Sequence, residues 1–285
     1  MDAAQGSRAA PVPASDIAAL LERALCSHDA GDLATAQALY EQVLAQDPEQ
    51  PDALHFLGVL RHQQGDSDAA LALVGRALAR LPAHAGVHNN LGNIHKERGD
   101  PVAAEACYRR AIALMPAHID AIGNLAVVLE VQGRLDDAFN AYGLLLHAAP
   151  GYARGYYLLG LFLCNHAAGH GHMRQSVACL RKAWELDPGN LRALRLLGVV
   201  LYALGEGDAA LQVYRDWLQR APDDPLALHM LAACGGAQAP LRAGDRYVRE
   251  LFDGFASSFD EQLLHNLDYR APQLLADALA PVLSG

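Results

Sequence analysis

The sequence predicts an all-α fold built from repeated helical hairpins. Six prolines recur at intervals of 34 residues, with one interval of 38, at Pro48, Pro82, Pro116, Pro150, Pro188 and Pro222. The chain is 52% hydrophobic but has six Phe and two Trp, a composition that favours closely packed helices over a β-sandwich. A fixed period of this length indicates a repeat protein, so function is expected from a surface that several repeats share.

Each period is predicted to contain two helices separated by a glycine. In the clearest copy, residues 85–118, Gly99 can take the positive φ that ends the first helix. Asp100 is the expected N-cap of the second helix, and Pro101 occupies its first position, where no N–H is needed. The pattern gives a flexible N-terminus over 1–16, repeats over 17–50, 51–84, 85–118, 119–152, 153–190 and 191–224, and a capping helix over 225–234.

Further residues recur in register with the proline period. In the first helices, Leu91-Gly92 has counterparts at Leu57-Gly58, Leu125-Ala126, Leu159-Gly160 and Leu197-Gly198. In the second helices, Ala104 recurs at Ala36, Ala70, Ala138 and Ala210, and Tyr108 recurs at Tyr40, Tyr142 and Tyr214. These marks resemble the tetratricopeptide repeat, a helix–turn–helix unit of 34 residues. The resemblance implies a right-handed superhelical solenoid of about six repeats followed by a C-terminal helical segment. It also implies a protein–protein interaction scaffold that binds a peptide or protein segment in the concave groove lined by the first helices.

By the same resemblance, particular first-helix positions face the groove. They are His55, Phe56, Asn89, Asn90, Asn93, Lys96, Asn124, Arg154, Tyr157, Arg192 and Arg195. Asn90 and Asn124 are expected to hydrogen-bond the backbone of the partner, because a carboxamide both donates and accepts. They resemble two rungs of the asparagine ladder of the O-linked N-acetylglucosamine transferase repeats. Phe56 and Tyr157 are expected apolar anchors, and the arginines form a basic end that attracts acidic residues.

A different sequence character begins after residue 236. The run from Tyr247 to Pro272 resembles the helical lead-in of class I S-adenosylmethionine-dependent methyltransferases that carry tetratricopeptide repeats. The resemblance implies a lid or interface that contains Phe252, Asp253, Phe255, Phe259, Asp260 and Tyr269. A glycine-rich cofactor loop, which such a domain needs, does not follow within residues 273–285.

Several functions remain open for the segment 237–285. The chain is an alternative candidate for the substrate-recruiting N-terminal part of a methyltransferase whose catalytic core is absent from these residues. S-adenosylmethionine would be the cofactor only if such a domain follows, so no cofactor and no catalytic residue is predicted in this chain, and enzyme activity stays undecided. The aromatic residues at helical spacing also fit a helix that seals the end of the repeats. A third hypothesis is self-association through these C-terminal helices.

Charge and cysteine content exclude other classes of function. The net charge of −10 argues against nucleic acid as a partner, because phosphate binding needs a basic surface. No apolar run is long enough to span a membrane. The five cysteines are odd in number and form no CxxC pair, which predicts buried reduced thiols and a cytoplasmic location.

Four extra residues in the fifth repeat predict a longer loop between its two helices. This stretch contains His166, His170 and His172, which are candidate metal ligands. No carboxylate or thiolate pattern completes a tetrahedral site beside them, so no metal is predicted.

Overall fold

A computed structural model describes residues 14–167 and 169–235. Within them the regular structure is helical throughout, which confirms the predicted all-α fold class. The described residues form two compact units, one ending at Leu159 and the other beginning at Gly160. The helices are α1 (Ala14–Asp29), α2 (Leu33–Gln46), α3 (Pro51–Gln63), α4 (Ser67–Arg80), α5 (Ala85–Glu97), α6 (Pro101–Leu114), α7 (Ile119–Val131), α8 (Leu135–Ala148), α9 (Ala153–Asn165), α10 (His170–Leu186), α11 (Leu191–Ala203), α12 (Gly207–Arg220) and α13 (Pro225–Ala233).

Local chemistry sets the ends of the helices as the sequence predicts. Gly99 has φ +79° and ends α5 in a conformation that a Cβ would disfavour. Asp100 then caps α6, because its Oδ1 accepts from the backbone N of Ala103 at 2.9 Å. Asp32 and Asp66 cap α2 and α4 in the same way. The hairpin turns are therefore encoded within a few residues of each helix end.

Two glycines show why the paired helices approach closely. A Cβ added at Gly92 of α5 would lie 2.6 Å from Cε1 of Tyr108 on α6. At Gly198 of α11 the corresponding distance to Cε1 of Tyr214 on α12 is 2.5 Å. Both tyrosine rings are fully buried. In these hairpins the glycine leaves the space that the aromatic ring of the second helix fills.

In the first unit, the first helices of successive hairpins lie side by side. α1 contacts α3, α3 contacts α5, and α5 contacts α7. The second helices α2, α4 and α6 each pack both on their own first helix and on the next first helix, as α6 does with α5 and α7. The sides of α1, α3, α5 and α7 that face away from the second helices make up a continuous surface, which we call the first-helix face.

The prediction that the four extra residues of the fifth repeat lengthen the loop is wrong for three of them. Four residues separate α9 from α10, whereas three residues separate α5 from α6. α10 has 17 residues, compared with 14 in α6. Three of the four extra residues therefore lengthen the helix at its N-terminus, where their carbonyl groups accept hydrogen bonds from the next turn. Gly169, at φ +150°, precedes the added turn.

The expectation that the cysteines are buried is also wrong. Cys26 is exposed, and Cys107, Cys164, Cys179 and Cys234 are half-buried, all as free thiols. Burial still raises the pKa of the Cys107 and Cys179 thiols, because the thiolate loses hydration there. Among the described helices, none has the length and apolar content that crossing a bilayer requires.

Candidate functional site

A buried histidine anchors the polar groups on the first-helix face. His55 of α3 is 3% exposed, and its Nε2 lies 2.9 Å from Nδ2 of Asn90 on α5. Burial lowers the pKa of His55 to about 4, and the neighbouring ring of His84 adds to this effect. The ring is therefore neutral at physiological pH, so its Nε2 can accept a hydrogen bond from the Asn90 amide.

The predicted asparagines bond mainly to one another. Asn89 is buried and donates through Nδ2 to Oδ1 of Asn90 at 3.3 Å. Nδ2 of Asn124 donates to Oδ1 of Asn89 at 3.2 Å and to Oδ1 of Asn93 at 3.0 Å. Oδ1 of Asn93 also accepts from the Tyr108 hydroxyl at 2.8 Å. We call His55, Asn90, Asn89, Asn124, Asn93 and Tyr108 the asparagine network; it joins the second, third and fourth repeats.

The binding of a partner backbone by Asn90 and Asn124 stays a prediction, and the network limits which of their atoms are available for it. His55 and Asn89 are buried, so they position their neighbours instead of contacting a partner. Asn90 and Asn124 are half-buried, and their amide N–H groups already donate within the protein. Oδ1 of Asn124 has no hydrogen bond to any residue in the described part of the chain. Among the described residues, the network thus leaves Oδ1 of Asn124 as an acceptor and Nδ2 of Asn93 as a donor without a hydrogen bond.

The predicted apolar anchors differ in how much surface they present. Phe56 is half-buried, with its ring stacked on Tyr40 at 6.3 Å and tilted against His55 at 4.5 Å. It therefore belongs partly to the core between the first two repeats. Tyr157 and Lys96 are half-buried, and Arg154 is exposed.

Two depressions bring several of the groove residues together in the first unit. The larger has a volume of about 170 Å³ and is lined by Val59, His62, Gln63, Asn90, Asn93, Ile94 and Glu97. The smaller, of about 20 Å³, has room for about one water molecule. It is lined by Ile119, Asp120, Gly123, Asn124, Val127, Tyr152, Arg154 and Leu158.

In the second unit, α11 carries a mixed exposed stripe. Arg192 and Arg195 are exposed, and Val199 and Tyr202 follow them at helical spacing, each with nearly half of its surface exposed. No carboxylate of the described residues lies within ion-pair distance of either guanidinium. The stripe therefore combines uncompensated positive charge with apolar surface.

An apolar cleft that was not predicted from the sequence lies on the side of the first unit formed by the second helices. It has a volume of about 530 Å³ between α6, α7 and α8, and Leu144 at its edge is 63% exposed. In the second repeat the corresponding residue is Arg76, which bonds the Pro48 carbonyl and Glu49. In the other repeats the residue at this position is Gln42, Arg110, Lys182 or Asp216. Leu144 is therefore the one apolar residue at a repeat position that is otherwise polar, and this difference could have indicated the cleft.

Family comparison accounts for the repeated hairpins. A model described as tetratricopeptide repeat matches residues 27–94 and 167–234, and a second model of the same description matches residues 85–118. Together they cover more than half of the sequence. The chain belongs to the tetratricopeptide repeat family. A search of curated proteins found no match to this chain.

Solved structures of other tetratricopeptide-like chains share the fold. PilW, a widely conserved type IV pilus biogenesis factor, is 19% identical with a TM-score of 0.67, covering 77% of this chain and 100% of PilW. Pseudomonas aeruginosa pilF is 18% identical with a TM-score of 0.64, covering 77% and 98%. A chain of the APC/C hetero-tetramer Cut9–Hcn1 is 15% identical with a TM-score of 0.63, covering 76% and 42%. At these identities the likeness concerns the fold alone.

The predictions for the C-terminal segment keep their status as predictions. Residues 237–285, with Phe252, Phe255 and Phe259, lie outside the described residues and beyond the last position that a tetratricopeptide model matches. The methyltransferase lead-in, the lid and self-association therefore rest on sequence alone. In the described ranges, no group of three or more His, Cys, Asp or Glu side chains is placed to hold a metal. His166 contacts the ring of Phe162 at 5.0 Å.

Proposed function

We propose that this tetratricopeptide repeat protein is a protein-interaction scaffold that binds an extended segment of another protein through its first helices. The observation that carries this proposal is the exposed stripe of Arg192, Arg195, Val199 and Tyr202 on α11. Aromatic and arginine side chains that are exposed and unpaired are the residues that most often dominate binding energy at interfaces. The two arginines favour a partner segment that carries acidic residues.

The asparagine network supports the same function in the first unit. Its internal hydrogen bonds fix the side chains of Asn90 and Asn124, so less conformational entropy is lost when a partner binds. The Asn124 Oδ1 is available to accept a backbone N–H of the partner. One such bond contributes about 0.5–1.5 kcal/mol, so measurable affinity also requires apolar contacts.

The test uses immobilised short peptides of varied sequence and purified full-length chain. A variant with Val199→Ser and Tyr202→Ser should bind its best peptides at least about tenfold more weakly, because tenfold corresponds to about 1.4 kcal/mol. Both side chains are exposed, so folding should be retained, which circular dichroism checks.

The matched control removes an exposed hydrophobic side chain from a second helix. Val102 on α6 is 71% exposed, and Val102→Ser should leave peptide binding unchanged. Equal binding by the wild type and the α11 variant would contradict the proposed role of α11. Equal losses in the α11 variant and the Val102 variant would indicate nonspecific adhesion and would contradict it as well.

A cytoplasmic location belongs to this proposal. Its support is that all five cysteines are free thiols in the structure, as a reducing compartment would maintain them. Fractionation of the native host, with recovery of the chain outside the cytosol, would contradict this part.

A further inference from the structure

The depression between α3 and α5 has the size of a pocket for one side chain. Its volume of about 170 Å³ is below the roughly 300–1,000 Å³ of small-molecule sites. The buried side chain of Ile94 and the half-buried side chain of Val59 supply its apolar surface. The inner part of the pocket therefore suits an aliphatic chain.

The charged group in the lining of the depression is a carboxylate. Asn90 donates its amide to His55, and Oδ1 of Asn93 already accepts from Tyr108 and Asn124. Glu97 stands at the edge of the depression, with 60% of its side chain exposed. A cationic group that donates hydrogen bonds would match this carboxylate, and Lys and Arg carry such groups.

No lysine or arginine of the described residues pairs with Glu97. Among the described residues its one ion-pair partner is His62, at 2.8 Å from Nε2. Nδ1 of His62 lies 2.9 Å from Oγ of Ser67, so the ring lies between this hydroxyl and the Glu97 carboxylate. Other carboxylates of the first unit face arginines, as Glu41 faces Arg61. Lys96 adjoins Glu97 in sequence, but adjacent helical residues do not face each other.

We propose that this depression binds the side chain of a lysine or arginine of the partner segment. The aliphatic stem packs on Val59 and Ile94, and the cationic head reaches the Glu97 carboxylate. This inference rests on the proposed function, because it names one side chain of the segment that the first helices bind. The acidic preference proposed for α11 concerns the second unit and is independent of it.

The experiment starts from a peptide that the wild-type chain binds on the array. Each position is replaced in turn by Lys, Arg, Leu and Glu, and affinities are measured by fluorescence anisotropy. At one position Lys and Arg should bind about tenfold more tightly than Leu, with Glu weakest. In Glu97→Gln, which keeps the acceptor for His62, Lys and Arg should lose that advantage over Leu.

The control removes the same charge from a second helix. Asp136 on α8 is exposed, and Asp136→Asn should retain the full preference for Lys and Arg. The proposal is overturned if no position prefers a basic residue, or if Glu97→Gln keeps the preference. If no peptide binds at all, the scaffold function itself fails together with this pocket. If Glu97→Gln and Asp136→Asn both lose the preference for Lys and Arg, the preference would reflect the net charge of the protein, and this result would also overturn the proposal.

Discussion

The amide of Asn90 donates to Nε2 of His55 at 2.9 Å and thereby joins the first helices of two successive repeats. The donor is half-buried and the acceptor is buried, so this hydrogen bond connects the surface to the core. A residue expected to contact a partner therefore also stabilises the fold. Variants that test binding must be chosen outside the asparagine network.

Asn90→Ala should lower the free energy of unfolding by about 1–3 kcal/mol. The change leaves Nε2 of His55 without its donor inside a buried environment, and an unmade buried hydrogen bond costs about that much. Urea denaturation followed by circular dichroism measures the effect. Lys96→Ala is the control, because this half-buried side chain has no hydrogen bond to a described residue. A loss of stability no larger than in Lys96→Ala would show that the bond contributes nothing.

Stability should fall as pH decreases from about 6.5 to about 4, in part because of His55. Its pKa is lowered from 6.5 to about 4 in the folded protein, so the unfolded chain binds the proton first. The folded state therefore loses stability only within this window, by at most about 3 kcal/mol, and nothing is lost above it. The pKa values of Glu49 and Glu105 are lowered in the folded protein, so protonation of these two groups reduces stability at lower pH, as the pH falls below the ordinary carboxylate pKa of 4.5.

The pH prediction is checked by urea unfolding of the wild type and His55→Gln at about pH 7, about pH 6 and about pH 5. Glutamine keeps an acceptor for Asn90 but does not titrate. The variant should show a shallower fall in stability than the wild type. Parallel curves for the two proteins would mean that His55 does not carry this pH dependence.

Gly92→Ala should destabilise the protein by about 1–3 kcal/mol, because the new Cβ would overlap the buried Tyr108 ring. Gly75→Ala should instead raise stability by about 0.5–1 kcal/mol. Gly75 lies within α4, and a Cβ there would meet no atom within 4 Å. Thermal unfolding of both variants should shift the midpoint in opposite directions. Shifts of the same sign would refute the close-packing role of Gly92.

Leu144→Arg should leave stability unchanged or slightly higher. Leu144 is 63% exposed, and an arginine at the corresponding position of the second repeat already bonds the Pro48 carbonyl. The substitution should also reduce binding of the neutral dye Nile red, because it removes apolar surface from the cleft between α6 and α8. Val102→Arg changes an exposed hydrophobic residue that does not line the cleft, and it should leave dye binding unaltered. Equal dye binding by the wild type and Leu144→Arg would argue against an accessible cleft.

Sequence reasoning succeeded where the structure depends on residues close together in the chain. The caps at Asp32, Asp66 and Asp100 and the positive φ of Gly99 follow from the preferences of single residues, so they could be read directly. The hairpins then follow from the period.

Contacts between distant residues could not be read in the same way. Position in the repeat placed Asn90 and Asn124 near the surface, but it could not indicate that they bond to His55 and Asn89, each 35 positions away. A carboxamide is equally suited to water, a partner or another side chain, and only tertiary packing decides among them. The cleft beside Leu144 was missed because exposed leucines are common on protein surfaces.

We expect the added first turn of α10 to tolerate inserted sequence. The inward residues Ser176, Leu180 and Ala183 keep their spacing of four and three, and the added turn precedes them all. A segment inserted between Gly169 and Met173 therefore does not change the side of α10 on which these three residues lie. We expect an epitope inserted there in whole helical turns to be displayed on a rigid stem, with the rest of the array folding as before.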